Sequence, residues 1–337
     1  MTAQDIINQQ NQPKTYRVLA SRKGMSNEDW LQLRKGYLNI SEVSAALNLN
    51  PYKTALSLWA SKTGIYEEPY QDNRFCEWGR IMEPVLLDYY QKQYDCKVQT
   101  VPYILQSTQY SFMCGNIDGV AIFPDGSKKI IEVKTTSSIN ENEWKEGGCP
   151  IYYYTQLMLY EWLTGVHSGQ LIVLIGGNDF RVVDIPYNQD VVNAILAQCV
   201  DFWNHVATRQ PLPPVANDSG FLGKLYPQSN GNVVQLEDSF AEKLAQLEAI
   251  KQKESEIKAA KETIEAELKQ AMGENEMAIV GSWKVSWKTS TRNTFSAELA
   301  KQYLTDEQVQ ACTQTTSTRT MRVTKAKPKA AGTKKNK

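Results

Sequence analysis

The chain has 337 residues, 42% of them hydrophobic, which is enough for a sizeable core and for more than one domain. Basic and acidic residues each number 37, so net charge announces no nucleic-acid binder, and any positive surface must be local. No apolar run reaches the roughly eighteen residues of a membrane span, and the six scattered cysteines, with no C-x-x-C pair, disfavour disulfide, zinc and iron–sulfur frameworks.

Residues 1–25 are polar, lack the basic-then-apolar pattern of a secretory leader, and are expected as a loose lead-in. Residues 27–34 predict a first short helix before Gly36, and 41–47 a second with Ser41 as its N-cap. A third, over 54–63, stops at Gly64. Helical spacing of apolar residues runs over 75–94, and Pro84 leaves open a helix that begins only near Glu83. Strands are predicted over 97–106, 112–123 and 129–135, then a helix over 152–164 closed by Gly165. Residues 170–175 and 179–186 read as a strand pair, and 189–208 as a long amphipathic helix. The prolines at 211, 213 and 214 mark a boundary. Beyond it, 237–272 predicts a helical arm whose apolar seam is interrupted by Glu254 and Lys261, partly exposed rather than a stable coiled coil. Residues 277–288 and 289–295 read as a hairpin, and the lysine-rich 325–337 as a disordered tail.

The chemistry concentrates in 115–136. Pro124-Asp125-Gly126-Ser127 is a turn signal between two apolar runs, so the runs read as an antiparallel hairpin. Side chains alternate along a strand, which puts Glu132 and Lys134 on one face and Ile131 and Val133 on the other. A turn near Asp125-Gly126 sets Asp118 roughly opposite Lys134 on that same face. Two carboxylates and an ammonium among apolar neighbours are costly unless paired or bound to metal. A hard cation such as Mg²⁺ takes one or two carboxylates and keeps waters for a phosphate. The pattern therefore reads as a metal-dependent phosphodiesterase site.

Five motifs in order carry a resemblance: Trp30-Leu-Gln-Leu-Arg34 with Ile40-Ser41-Glu42, then Trp78-Gly79-Arg80-Ile81-Met82-Glu83, Asn116-Ile117-Asp118-Gly119, Glu132-Val133-Lys134 and Tyr153-Tyr154-Thr155-Gln156. Together they resemble the lambda exonuclease-like, or YqaJ-like, phage recombinase nucleases of the PD-(D/E)xK superfamily. The resemblance implies an α/β (α+β) restriction-endonuclease-like core, a central mixed β-sheet flanked by helices, with a C-terminal helical arm and hairpin. The expected organisation is a lead-in over 1–25, a nuclease domain over 26–210, a linker over 211–235, the arm and hairpin region over 236–324 and the tail over 325–337.

By the same resemblance, Asp118, Glu132 and the Val133 carbonyl hold Mg²⁺, with Mn²⁺ substituting and Glu83 helping directly or through water. Lys134 acts on the attacking water and Gln156 holds that water or Lys134. Arg34 and Ser41 grip a terminal 5′-phosphate, and Tyr153 packs or stacks beside the DNA. The implied activity is 5′-to-3′ degradation of linear duplex DNA, exposing single strand for an annealing recombinase in the cytoplasm of a bacterial host, the gene being of phage or prophage origin. A ring-shaped homotrimer is also implied. An endonuclease on the same core, or a noncatalytic DNA-binding or annealing protein, are the alternatives.

Overall fold

The structure is a computed structural model that describes residues 15–67, 73–316 and 318–324. The chain divides into two compact units, Met1–Leu225 and Tyr226–Lys337. Residues 1–14 of the expected lead-in, and the tail 325–337, lie outside the described residues.

In the first unit, local sequence punctuation sets the helices. Helix α1 (Asn27–Lys35) starts on Ser26, whose hydroxyl accepts from the Asp29 amide. A 3-10 turn, Ile40–Glu42, leads into α2 (Val43–Ala46). Helix α3 (Ala55–Lys62) is capped by Thr54, which exchanges hydrogen bonds with Ser57. Helix α4 (Arg74–Gln93) runs unbroken through Pro84, so the later start near Glu83 does not occur. Helix α5 (Ile151–Thr164) ends on Gly165, whose φ of 71° is the left-handed cap that glycine adopts without strain. Helices α6 (Gln189–Thr208) and α7 (Asp218–Leu225) complete the unit.

Its centre is a five-stranded mixed sheet in the order β3 (Lys97–Thr100), β6 (Gly119–Ile122), β7 (Lys128–Thr136), β8 (Ser168–Ile175), β9 (Asp179–Pro186). Neighbours are antiparallel except β7 and β8, which run parallel and are joined across α5, as a parallel pair requires. Ile130, Leu171 and Val173 face the larger cluster, with Leu157 of α5 and residues of α2, α3 and α6. Ile131, Ile172 and Ala121 face Leu86, Leu87 and Tyr90 of α4. Glu132 and Lys134 share parity with Ile130, so they enter on the α5 side.

A second small sheet orders β1 (Tyr16–Ser21), β4 (Tyr103–Ser107), β5 (Met113–Gly115) and β2 (Leu38–Asn39). Strand β1 falls inside the expected lead-in. It is held by antiparallel pairing to β4, a partner far along the chain that local polarity did not reveal. The run 97–106 divides at Val101-Pro102, since proline cannot donate to a ladder, and 112–123 divides around Asp118. Within the expected linker, α7 buries Asp218, which accepts hydrogen bonds from the Thr54 hydroxyl and from the Val215 amide. Phe221 of that helix packs edge-on against Tyr66. This segment is part of the first unit.

The second unit contains α8 (Ser239–Met272), the hairpin β10 (Met277–Val280) and β11 (Trp283–Ser286), then α9 (Ala297–Ala300) and α10 (Asp306–Ala311). The hairpin turns on Gly281-Ser282, with Gly281 at a φ of 58°, and lies wholly within 277–288. Residues 289–295, expected as its other half, form no strand. No helix among the described residues is long and apolar enough to cross a membrane.

Candidate active site

The loop between β6 and β7 sets the register. Phe123 N donates to Ser127 O, Gly126 N donates to Phe123 O, and Gly126 has a φ of 83°. This is a three-residue loop with glycine in the left-handed position. It pairs Gly119 with Ile131, which continues to Asp118 opposite Glu132. The sequence reading had Asp118 opposite Lys134. A slip of two residues keeps every side chain on its face, so the grouping survives the error. Asp118 reaches across: its Oδ2 accepts from the Val133 amide at 2.9 Å.

Around Glu132 the partners are close. Lys134 Nζ donates to Glu132 Oε1 at 2.5 Å, and Gln156 Nε2 donates to the same oxygen at 2.6 Å. The Gln156 carbonyl lies 3.4 Å from Lys134 Nζ, so the amide spans both charged groups from α5. Tyr153, one turn earlier on α5, places its ring 4.7 Å from Lys134 Nζ. Glu132 is only 3% exposed, and its Oε2 has no hydrogen-bond partner.

Charge is crowded here. Burial, and then the charge of Asp118, push the Glu132 carboxyl up to about 8. Burial and Asp118 likewise push Glu83 of α4 up to about 7, and burial raises Asp118. For Lys134, burial opposes the ammonium, but Glu132 and Asp118 outweigh it and hold its pKa above the ordinary value. The carboxylates thus repel one another and are short of positive charge, and a divalent cation would replace their protons. The orphaned, buried Glu132 oxygen fits that demand. Among the described residues no group of three His, Cys, Asp or Glu side chains is placed to hold a metal ion, so a cation here would rest on fewer side chains, with water, backbone and phosphate oxygens completing its ligand set.

Arg34 and Ser41 also come together. Arg34 Nη2 donates to Ser41 Oγ at 3.1 Å and lies 3.4 Å from Glu42 Oε1, with its guanidinium 4.4 Å from the Trp30 ring centroid. Ser41 is not an N-cap, however. It sits inside the 3-10 turn, which Asn39 precedes, while Asn39 N and Nδ2 both donate to Glu42 Oε2. The cap expected at Ser41 therefore lies two residues earlier, at Asn39, and it is the Ser41 hydroxyl that meets Arg34. Burial would raise Glu42, but Arg34 and Lys62 overcome it and lower its pKa to about 2. Lys62 Nζ binds Glu42 Oε2 at 2.7 Å and the Arg34 carbonyl at 2.8 Å.

Three neighbours were missed from sequence. Arg22 lies 4.9 Å from the Trp30 ring with a buried, unpartnered Nη1, and it was hidden in the supposed lead-in. Lys62 read as an ordinary helix-end lysine. Tyr160 receives a hydrogen bond from Gln156 Nε2 at 3.3 Å. Burial and then Glu132 and Asp118 raise its hydroxyl while Arg34 lowers it, so Tyr160 stands between the two groups of residues. Its ring requires Gly115, where a Cβ would fall 2.6 Å from Tyr160 Cε1. The spacing of Tyr160 four residues after Gln156 was the available signal.

A mixed sheet flanked by helices, carrying Asp118 at the end of one strand and Glu132-x-Lys134 on the next, defines a PD-(D/E)xK-like fold. Residues 29–167 match the model of the YqaJ-like viral recombinase domain, a span that takes in every proposed site residue from Arg34 to Gln156. The uncharacterized protein YqaJ of Bacillus subtilis (strain 168) is 27% identical over 299 residues, covering 87% of this chain and 93% of that protein. Among solved structures, the alkaline exonuclease LHK-Exo from Laribacter hongkongensis is 16% identical, covering 54% of this chain and 94% of that one, with a TM-score of 0.45. The shutoff and exonuclease protein of Kaposi's sarcoma-associated herpesvirus is 11% identical over 57% of this chain and 71% of that one, with a TM-score of 0.37.

Proposed function

We propose that this protein is a divalent-metal-dependent DNA nuclease that hydrolyses linear duplex DNA 5′ to 3′ from an end, leaving single strand for an annealing partner. The observation that carries the reading is the buried Glu132, bound on one oxygen by Lys134 and Gln156 and open on the other, beside Asp118 and Glu83. Asp118, Glu132 and the Val133 carbonyl, with Glu83, would hold Mg²⁺ or Mn²⁺. When bound, such a cation supplies charge neutralisation for the phosphoryl oxygens and a more acidic water.

The chain's own residues do the rest. Were Glu132 and Asp118 otherwise compensated, the two charges that hold the Lys134 proton would weaken; release of that proton to solvent would leave a neutral amine able to accept one from the attacking water. Gln156 fixes the carboxylate and the amine relative to each other, so little reorganisation accompanies that transfer. Arg34, already bonded to Ser41, offers its fork to the terminal phosphate and sets the distance from the end to the scissile bond.

Time courses on linear duplexes labelled separately at each terminus, with 5′-phosphate or 5′-hydroxyl ends, test the reading. Loss of label from 5′-phosphorylated ends in Mg²⁺, its absence in chelator or in Glu132→Gln, and survival of covalently closed plasmid are expected. Equal degradation by the parent and Glu132→Gln would remove the nuclease assignment. Cutting of closed plasmid would turn it toward an endonuclease.

A further inference from the structure

A DNA strand presents bases as well as phosphates, and of the groups described so far Tyr153 alone was offered a place beside the DNA. A file of aromatic rings leads outward from Lys134. Tyr153, beside the ammonium, has its ring centroid 4.4 Å from that of Tyr152 and 5.8 Å from that of Trp144. Tyr152 meets Tyr52 edge to face, with centroids 6.3 Å apart. Trp144 is buried and Tyr152 and Tyr153 are half-buried, yet Tyr52 at the outer end is 79% exposed.

The loop that presents Tyr52 is held in place. Asn50 Oδ1 accepts from the Tyr52 and Lys53 amides at 2.8 and 3.2 Å, and Asn48 Oδ1 accepts from the Ala55 amide at 2.8 Å. Pro51 fixes one more dihedral, and Thr54 caps α3 immediately after. The ordering of this ring was therefore met on folding, which favours stacking affinity. An aromatic side chain so exposed adds little to the core it stands over.

Charges of both signs lie near the loop. Lys53 is among the positive groups around Glu42 and Lys62, on the side of Arg34. Glu143, from the 3-10 segment Ser138–Gly147, faces Tyr152 and Tyr153. Its negative charge disfavours a phosphate over these rings and leaves an uncharged ring as the suitable occupant. Tyr52 and Lys53 are neighbours in one hydrogen-bonded turn, so a flat ring and a positive charge are presented together, a pairing that suits a nucleotide.

We infer that Tyr52, backed by Tyr152, is a stacking platform for a nucleobase of the DNA strand engaged at Arg34 and Ser41. The inference rests on the nuclease reading for its ligand and adds the base contact that reading lacks. Every base has a π-face, so the platform tolerates any sequence.

The test uses the full chain and a linear duplex bearing 2-aminopurine as its terminal base, whose fluorescence falls on stacking. In chelator, the parent quenches the probe. Tyr52→Ala loses the quenching and binds on the order of tenfold more weakly, whereas Tyr52→Phe and Tyr52→Trp keep both. In Mg²⁺ the Tyr52→Ala defect falls on KM rather than kcat. Thermal melts matching the parent exclude misfolding. Tyr52→Ala with parental quenching and affinity would overturn the platform, as would a parent that binds the duplex without quenching. A parent that quenches without hydrolysing supports the platform and removes the nuclease reading, so the two fail separately.

Discussion

The two units spend similar residues in opposite ways. In the first, charged and polar groups are buried and joined over long sequence distances: Glu132 to Gln156, Glu42 to Lys62, Thr54 to Asp218. In the second, the ion pairs of α8 are local, Lys258 with Glu262 at 3.9 Å and Lys261 with Glu265 at 3.5 Å, each exposed and one helical turn apart. Such pairs contribute a few tenths of a kcal/mol. Ile250, Ile257 and Ile264 are exposed along α8, and Met272 is its buried residue. The difference teaches that the first unit is specified by tertiary packing, while the long helix follows from local propensity.

Three substitutions would break or sharpen that contrast. The largest effect belongs to Leu157, fully buried where α5 crosses the sheet: Leu157→Ala costs about 2–5 kcal/mol, read as a fall in urea midpoint of the first unit's transition. A smaller effect, and one that depends on pH, belongs to Glu161. Both its oxygens are buried without partners beside Gly169, and burial pushes the carboxyl from 4.5 up to about 8. The folded state then holds a proton that the unfolded state has lost, so this group's contribution to stability is greatest below pH 4.5 and falls as pH rises toward 8. The slope from this one group is at most about 1.4 kcal/mol per pH unit. Glu161→Gln flattens the decline; Glu132 and Glu83, shifted the same way, keep part of it. An unchanged pH profile would show that Glu161 is solvated. The smallest effect belongs to Ile257, 70% exposed on α8, where Ile257→Ala alters thermal stability by less than about 0.5 kcal/mol. A larger loss would reveal that the stripe is covered in solution.

The same contrast explains what could be read from sequence. The helix over 239–272 and the one over 189–208 were legible because period and caps are local signals. The grouping of Asp118, Glu132 and Lys134 was legible because strand parity survives a register error. The exact register was not, since it depends on Gly126 closing a three-residue rather than a longer loop. Strand β1 and helix α7 were missed for a common reason. Each takes its role from a partner distant in the chain, Gln106 and its neighbours for β1 and Thr54 for α7. Ser41 was misjudged because a 3-10 turn intervened where a helix start was expected.

The tie between Asp218 and Thr54 decides where this protein can be divided. The prolines near 211 invite a cut there, but such a fragment would strip the acceptor from the hydroxyl that begins α3 and uncover the surface under Phe221 and Leu222. A shortened version ending after Leu225 retains both. For anyone preparing the first unit for crystallisation or labelling, the useful border lies about fourteen positions beyond Pro211.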